Sequence, residues 1–205
     1  MKKLFVLIVV LISSCILFAR GGDSQRTPDM NFYGVDFSCV KIFGAKEKPD
    51  KFLQAFEDIN RLIVTEVNKY QFNTFFTKYA REIDRSDEIR RMRFDGFENV
   101  SIDEAIYRIR VMDEAGMTTY NKLSKVSEEQ LENLVEDFNT GKDTGYGVIY
   151  VAELLDRQDG VGKFIAVCFN IKTKKIIFAD RVSGKAGGMG LRNYWASPLA
   201  EIFKP

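Results

Sequence analysis

The chain contains no histidine, and that absence removes much of the chemistry a sequence of this size could carry. Ser-His-Asp and Cys-His nucleophilic systems both need an imidazole as the base. Histidine zinc sites go with them, and the two cysteines outside the leader, Cys39 and Cys168, are too few for a thiolate site. Carboxylate chemistry stays open. The pairs Asp156/Asp159 and Asp87/Glu88 are close in sequence, but neither sits in a catalytic frame. They read as surface carboxylates beside turns and arginines, because acids are rarely buried. The sequence therefore assigns no catalytic residue and calls for no cofactor or metal.

A glycine-rich stretch, Ser183-Gly184-Lys185-Ala186-Gly187-Gly188-Met189-Gly190, is the next candidate. A phosphate loop needs a Ser or Thr after its Gly-Lys, because that hydroxyl binds the magnesium. Ala186 occupies the place here. The dinucleotide fingerprint fails as well, since no further strand and ribose-binding acid follow. What remains is a glycine turn leading to a helix amino-terminus, a place that can attract an anion. Gly184, Lys185, Gly187, Gly188, Gly190 and Arg192, with Tyr194 and Trp195 as an aromatic pair, form the candidate ligand or partner site. The competing reading is a flexible turn that folds the last helix back on a sheet. Asp159-Gly160 lacks the acidic spacing of a calcium loop.

The amino-terminus reads as an export signal: Met1-Lys2-Lys3, then an apolar run from Leu4 to Leu11. The run resumes at Cys15 and ends at Ala19. Its roughly 15 apolar residues fall short of the ~20 that a spanning helix needs. Ile12-Ser13-Ser14-Cys15 resembles a lipobox, which makes Cys15 a candidate for lipidation. Cleavage near Ala19 or Gly21 is the alternative. The expected organisation is a signal peptide over 1–19, a polar linker over 20–29 and one globular domain over 30–205. The expected location is exported: periplasmic, secreted, or tethered to the membrane if Cys15 is lipidated. In an oxidising compartment Cys39 and Cys168 could pair, or remain separate buried thiols. Thirty basic residues balance 29 acidic ones, so nothing points to a nucleic acid, which usually demands a basic face.

The spacing of apolar residues supplies the elements. Tyr33, Val35, Phe37 and Cys39 alternate with smaller or polar residues, predicting one strand over Asn31 to Phe43. Pro49 opens a helix whose face is Phe52, Phe56, Ile59, Ile63 and Val67, running to about Tyr70. The segment from Arg81 to Asp95 carries five arginines and five acidic residues whose signs cancel, so it reads as a solvated insert rather than a charged docking face. Ser101-x-x-Glu104 and Ser127-x-x-Gln130 resemble capping boxes, each before a helix, with Gly141 stopping the second. Tyr146 to Leu155, Phe164 to Phe169 and Ile176 to Val182 read as strands joined by short turns, hence an antiparallel meander. A terminal helix covers Leu191 to Phe203. The expected fold class is α+β, or an α/β sandwich, with a mixed or antiparallel sheet of about four to five strands and helices on its faces.

An early strand (Phe32 to Phe43), a long helix and a late hairpin around Asn170-Ile171-Lys172-Thr173-Lys174 resemble a domain of bacterial envelope proteins. These are the curli-secretion lipoprotein, the penicillin-binding-protein activator lipoproteins and the amino-terminal domain of the Tol-system translocation protein. Their turn carries Asp-x-x-Thr-Gly, where this chain has Asn170 and Lys174 at the ends. The glycine stretch before Tyr194-Trp195 also resembles uncharacterised exported bacterial proteins. The resemblance implies a non-catalytic envelope adaptor whose partner is an envelope protein or a small ligand. The alternatives are a carboxylate-dependent hydrolase of envelope glycans and a self-assembling envelope component.

Overall fold

A computed structural model describes residues 29–73 and 96–204. The leader, with Cys15, and the whole charged insert, with Asp87 and Glu88, lie outside the described residues.

The alternating residues at the start do form a strand, β1 (Met30–Asp36), but it does not run unbroken to Phe43. A tight turn, closed by the Val40 N–H donating to the Phe37 carbonyl at 3.0 Å, separates it from β2 (Lys41–Phe43). Both pair in parallel with β5 (Tyr146–Asp156). β1 takes Tyr146 to Val151 and β2 takes Leu154 to Asp156. They are thus two pieces of one discontinuous strand along one edge of β5. Two-residue strands flank them, also in parallel: β3 (Asn99–Val100) beside β1 and β4 (Thr118–Thr119) beside β2. The other edge of β5 carries β6 (Val161–Asn170) and then β7 (Ile176–Lys185), the antiparallel meander.

This corrects the α+β expectation of four to five strands in a mixed or antiparallel sheet. Among the described residues seven strands form one sheet, and five of them (β1 to β5) run parallel, which makes the fold α/β. β3 and β4 are too short to leave a period-two signal, and the turn splitting β1 from β2 is hidden in an apolar run.

Helix α1 (Pro49–Thr65) starts with proline in its first turn. It stops before the expected Tyr70, and Val67 is exposed beyond its end. Phe52, Phe56, Ile59 and Ile63 cover the first face of the sheet, with Phe56 stacked on Phe37 at 4.0 Å. Asn60, on the same helix, is fully buried. It accepts the Val35 N–H at 2.8 Å and donates to the Val35 carbonyl at 2.9 Å. That completes the backbone bonding of a β1 bulge whose Gly34 has φ +80°. A side chain at Gly34 would collide with Asn60.

Helix α2 (Asp103–Val111) forms without the Ser101 capping box: its amino-terminal cap is Ile102, and no side chain caps it. Helix α3 (Glu128–Asp137) has the full Ser127/Gln130 box, and ends before Gly141. Helix α4 (Leu191–Ile202) folds back on the first face with Trp195 completely buried. Among the described residues the second face is covered by α3 alone, through Leu131, Leu134, Val135 and Phe138.

Cys39 and Cys168 are free. Cys168 lies in the first-face core and Cys39 packs against the second. The sheet stands between them, so the two are separate thiols, the second of the two sequence readings.

Candidate functional site

In α/β sheets, ligands bind beyond the carboxyl ends of the parallel strands. That end is where this chain buries its acids. Asp36 ends β1 and Asp156 ends β5, while Glu153 occupies a β5 bulge. They are 0%, 1% and 2% exposed respectively. Neighbours in a strand point to opposite faces. Val35 and Leu155 belong to the first-face core, so Asp36 and Asp156 point to the second. Asp156, read from sequence as a surface carboxylate, is buried; Asp159 is the exposed member of that pair.

Each acid meets a cation from an element that the sequence keeps distant. Arg108, on α2, donates from Nε to Asp36 Oδ2 at 2.6 Å and from Nη2 to Ser38 Oγ at 3.1 Å. Asp36 Oδ1 accepts the Ser38 N–H and hydroxyl, which is why the strand turns here. Glu153 accepts the Val126 N–H at 3.0 Å and Arg181 Nε at 3.0 Å, while Arg181 donates to the Val126 carbonyl at 2.9 Å. This pair clamps the entry to α3. Lys122 stands between Asp156 and Asp159. A buried charge without a partner is costly, so the Arg108–Asp36 and Arg181–Glu153 pairings are structural necessities.

The turn between β1 and β2 also opens a cleft of about 320 Å³ against α2. Its polar rim is Ser38, Lys41, Arg108 and Asp113; Val40, Met112 and Met117 form apolar wall, and Tyr107 lines it too. Tyr107 is 58% exposed. Lys41 Nζ donates to the Gly116 carbonyl at 2.5 Å, leaving further donors of its ammonium uncommitted. Cys39 lies beside this rim. Burial, then the Asp36 charge, pushes its thiol above the ordinary range despite the Ser38 hydrogen bond and the charges of Arg108 and Lys41. It is therefore a poor nucleophile.

A second cleft, about 410 Å³, opens on the other side of Tyr107. It holds Asp103, Glu104 and Asp143. The Tyr33 hydroxyl donates to Asp143 at 2.8 Å, and Asn99 donates to the same carboxylate at 3.2 Å. Burial, followed by the Asp143 hydrogen bond and charge, raises the Tyr33 phenol well above its usual range.

The glycine-rich candidates are placed as follows. Gly184 and Lys185 end β7, and Gly187, Gly188 and Gly190 form the turn into α4. A side chain at Gly184 would meet the Pro198 backbone of α4, and the Lys185 N–H donates to Glu201. Arg192 bonds Asn193 at 3.0 Å. Tyr194 stacks against Arg157, 3.7 Å from its ring centre, and Trp195 lies edge-on to Tyr194. The segment ties β7 to α4, and it stands apart from the residues lining either cleft. Asp36, Lys41, Tyr107 and Arg108 were not singled out from sequence. Their only signals were an acid at the end of an alternating strand and an arginine seven residues after the first capping-box serine.

No family model matches the chain, and no solved structure matches it. About half of the chain (49%) is 32% identical to the spermidine/putrescine import ATP-binding protein PotA of Mycoplasma capricolum, and equally to that of Mycoplasma mycoides. The match spans 40% of the length of those curated relatives. This likeness overturns the expected kinship with envelope lipoproteins. It equally overturns the non-catalytic envelope adaptor role with its glycan-hydrolase and structural alternatives, the envelope partners, and the exported, periplasmic or tethered location. The relatives bind ATP for an import system. Among the described residues, no helix is long and apolar enough to cross a membrane.

Proposed function

We propose that this chain binds ATP, or a closely similar nucleotide, in the cleft between the β1–β2 turn and α2. In this reading it works on the cytoplasmic side of a membrane beside the transporter subunits of an import system. The observation that carries the reading is the cleft itself, set at the carboxyl end of a parallel strand with two cations on its rim and methionines in its wall. Lys41 supplies a mobile ammonium to the phosphates. Arg108 is anchored by Asp36 and Ser38, so its remaining N–H groups are held ready for a second phosphate contact. Tyr107 supplies a ring for the base. The likeness to an ATP-binding import protein supports the same ligand class. The phosphate-loop pattern fails at Ala186, and Gly184 and Lys185 are strand residues. The nucleotide is therefore gripped by side chains, and no hydrolysis is proposed.

Isothermal titration of ATP into the purified full-length chain tests this. Saturable binding is expected, with Lys41→Ala weakening it about 10-fold, roughly 1.4 kcal/mol. Absence of binding at millimolar ATP by folded protein, or unchanged affinity in Lys41→Ala, sinks the reading.

A further inference from the structure

The carboxyl end of β5 carries an arrangement that nucleotide binding leaves unused. Asp156 closes the β5–β6 turn, its Oδ1 accepting the N–H groups of Gln158 and Asp159, each at 3.0 Å. Its Oδ2 is buried and has no hydrogen-bond partner. The nearest cation to it is Lys122 Nζ, at 3.6 Å, beyond hydrogen-bond reach. Lys122 is instead bonded to Oδ2 of the exposed Asp159. One ammonium thus faces two carboxylates and satisfies only the outer one.

The tether accounts for this. Lys122 belongs to the loop between β4 and α3, whose backbone is held by its own turn. The Asn121 N–H donates to Thr119 Oγ1 at 3.0 Å, and the Leu123 N–H to Asn121 Oδ1 at 2.9 Å. A side chain rooted there reaches across the sheet end from outside. The Asp159 hydrogen bond keeps its ammonium above the ordinary lysine range, so the occupant stays charged.

We propose that Asp156 and Asp159 form a binding site for a primary-ammonium ligand, with Lys122 as its resident competitor. A free alkylammonium has three donors and no tether, so it can bond both carboxylates at once, and charge-assisted bonds of this kind are the strong ones. The buried Oδ2 supplies the incentive, since it gains the partner it lacks. A metal ion is a poorer match: among the described residues no group of three ligating side chains gathers anywhere. The loop that delivers Lys122 exposes Tyr120 and Leu123, so displacing the Lys122 side chain uncovers neither of them from a core. The site is independent of the nucleotide reading.

The test titrates n-butylammonium into the full-length protein and its variants by calorimetry. Wild type should bind weakly, because Lys122 competes. Lys122→Ala should bind at least 10-fold more tightly, and adding Asp159→Asn should abolish the gain. If circular dichroism shows Lys122→Ala unfolded, Lys122→Met keeps the stem and replaces it. No gain on removing the lysine overturns the proposal. So does a variant that binds magnesium but not the amine. ATP affinity, measured on the same samples, should be unchanged; its absence would overturn the nucleotide reading alone.

Discussion

The two faces of the sheet solve the problem of burial differently. On the first face α1 and α4 lie over a layer of aromatic rings, with Phe56 on Phe37 and Phe32 on Phe72, each pair parallel within 10°. On the second face α3 is the covering helix among the described residues. Towards the amino ends of the parallel strands it seals Ile149, Val167 and Phe169. Towards the carboxyl ends the face holds Asp36, Glu153 and Asp156, each matched by a cation from a neighbouring element. The difference teaches that stability and chemistry are separated here. A layer of rings gains mainly from contact area. A layer of acids depends on cations supplied by neighbouring elements, and partners of that sort can be shared with a ligand.

Substitutions should expose the contrast, the largest effect coming from the apolar face. Phe56→Ala removes a fully buried ring and should cost about 3–5 kcal/mol in denaturant unfolding, with no recovery from any charge change elsewhere. On the second face Arg108→Met should cost less, roughly 2–3 kcal/mol, since it leaves Asp36 buried without its cation. Adding Asp36→Asn should restore most of that loss, and a double-mutant cycle reads the coupling. If the two changes simply add, the ionic character of the face is wrongly assigned. Ser127→Ala removes the cap of α3 and should cost about 1 kcal/mol, enough to distinguish the second face from an equivalent change at Ser101, which caps nothing.

The smallest effect belongs to the outer surface. Arg110, then Arg61, hold the Glu57 carboxyl down to about 2 from its usual 4.5. The folded value lies below the unfolded one, so this stabilisation is complete above pH 4.5 and is lost as pH falls towards 2. Solvent screens the ion pairs, so Glu57→Gln should cost about 0.5 kcal/mol at neutral pH. It should flatten the acid limb of the unfolding profile within that window; a flat limb in wild type would show the pairs to be idle.

Much of the apolar architecture was legible. The spacing of Phe52, Phe56, Ile59 and Ile63 announced α1, the Ser127/Gln130 pair announced α3, and the three late strands were visible from their Val and Ile content. The Ser101 box misled because a match in residue type does not ensure cap geometry: Ile102 takes the cap position instead. β3 and β4 were invisible because two residues show no period. The likeness to envelope lipoproteins misled because a strand, a helix and a hairpin recur in many unrelated folds.

The sequence by itself located the longer helices and strands, because side-chain periodicity is a local property. It also excluded histidine chemistry outright. Only the tertiary structure decided that five strands run parallel, since strand direction depends on how the chain returns between them. Only the fold, likewise, brought Arg108 to Asp36, Arg181 to Glu153 and Lys122 to Asp156. Those pairs are separated by 72, 28 and 34 positions along the chain. A charge carries no periodic signal, and its partner is chosen by where the sheet places it.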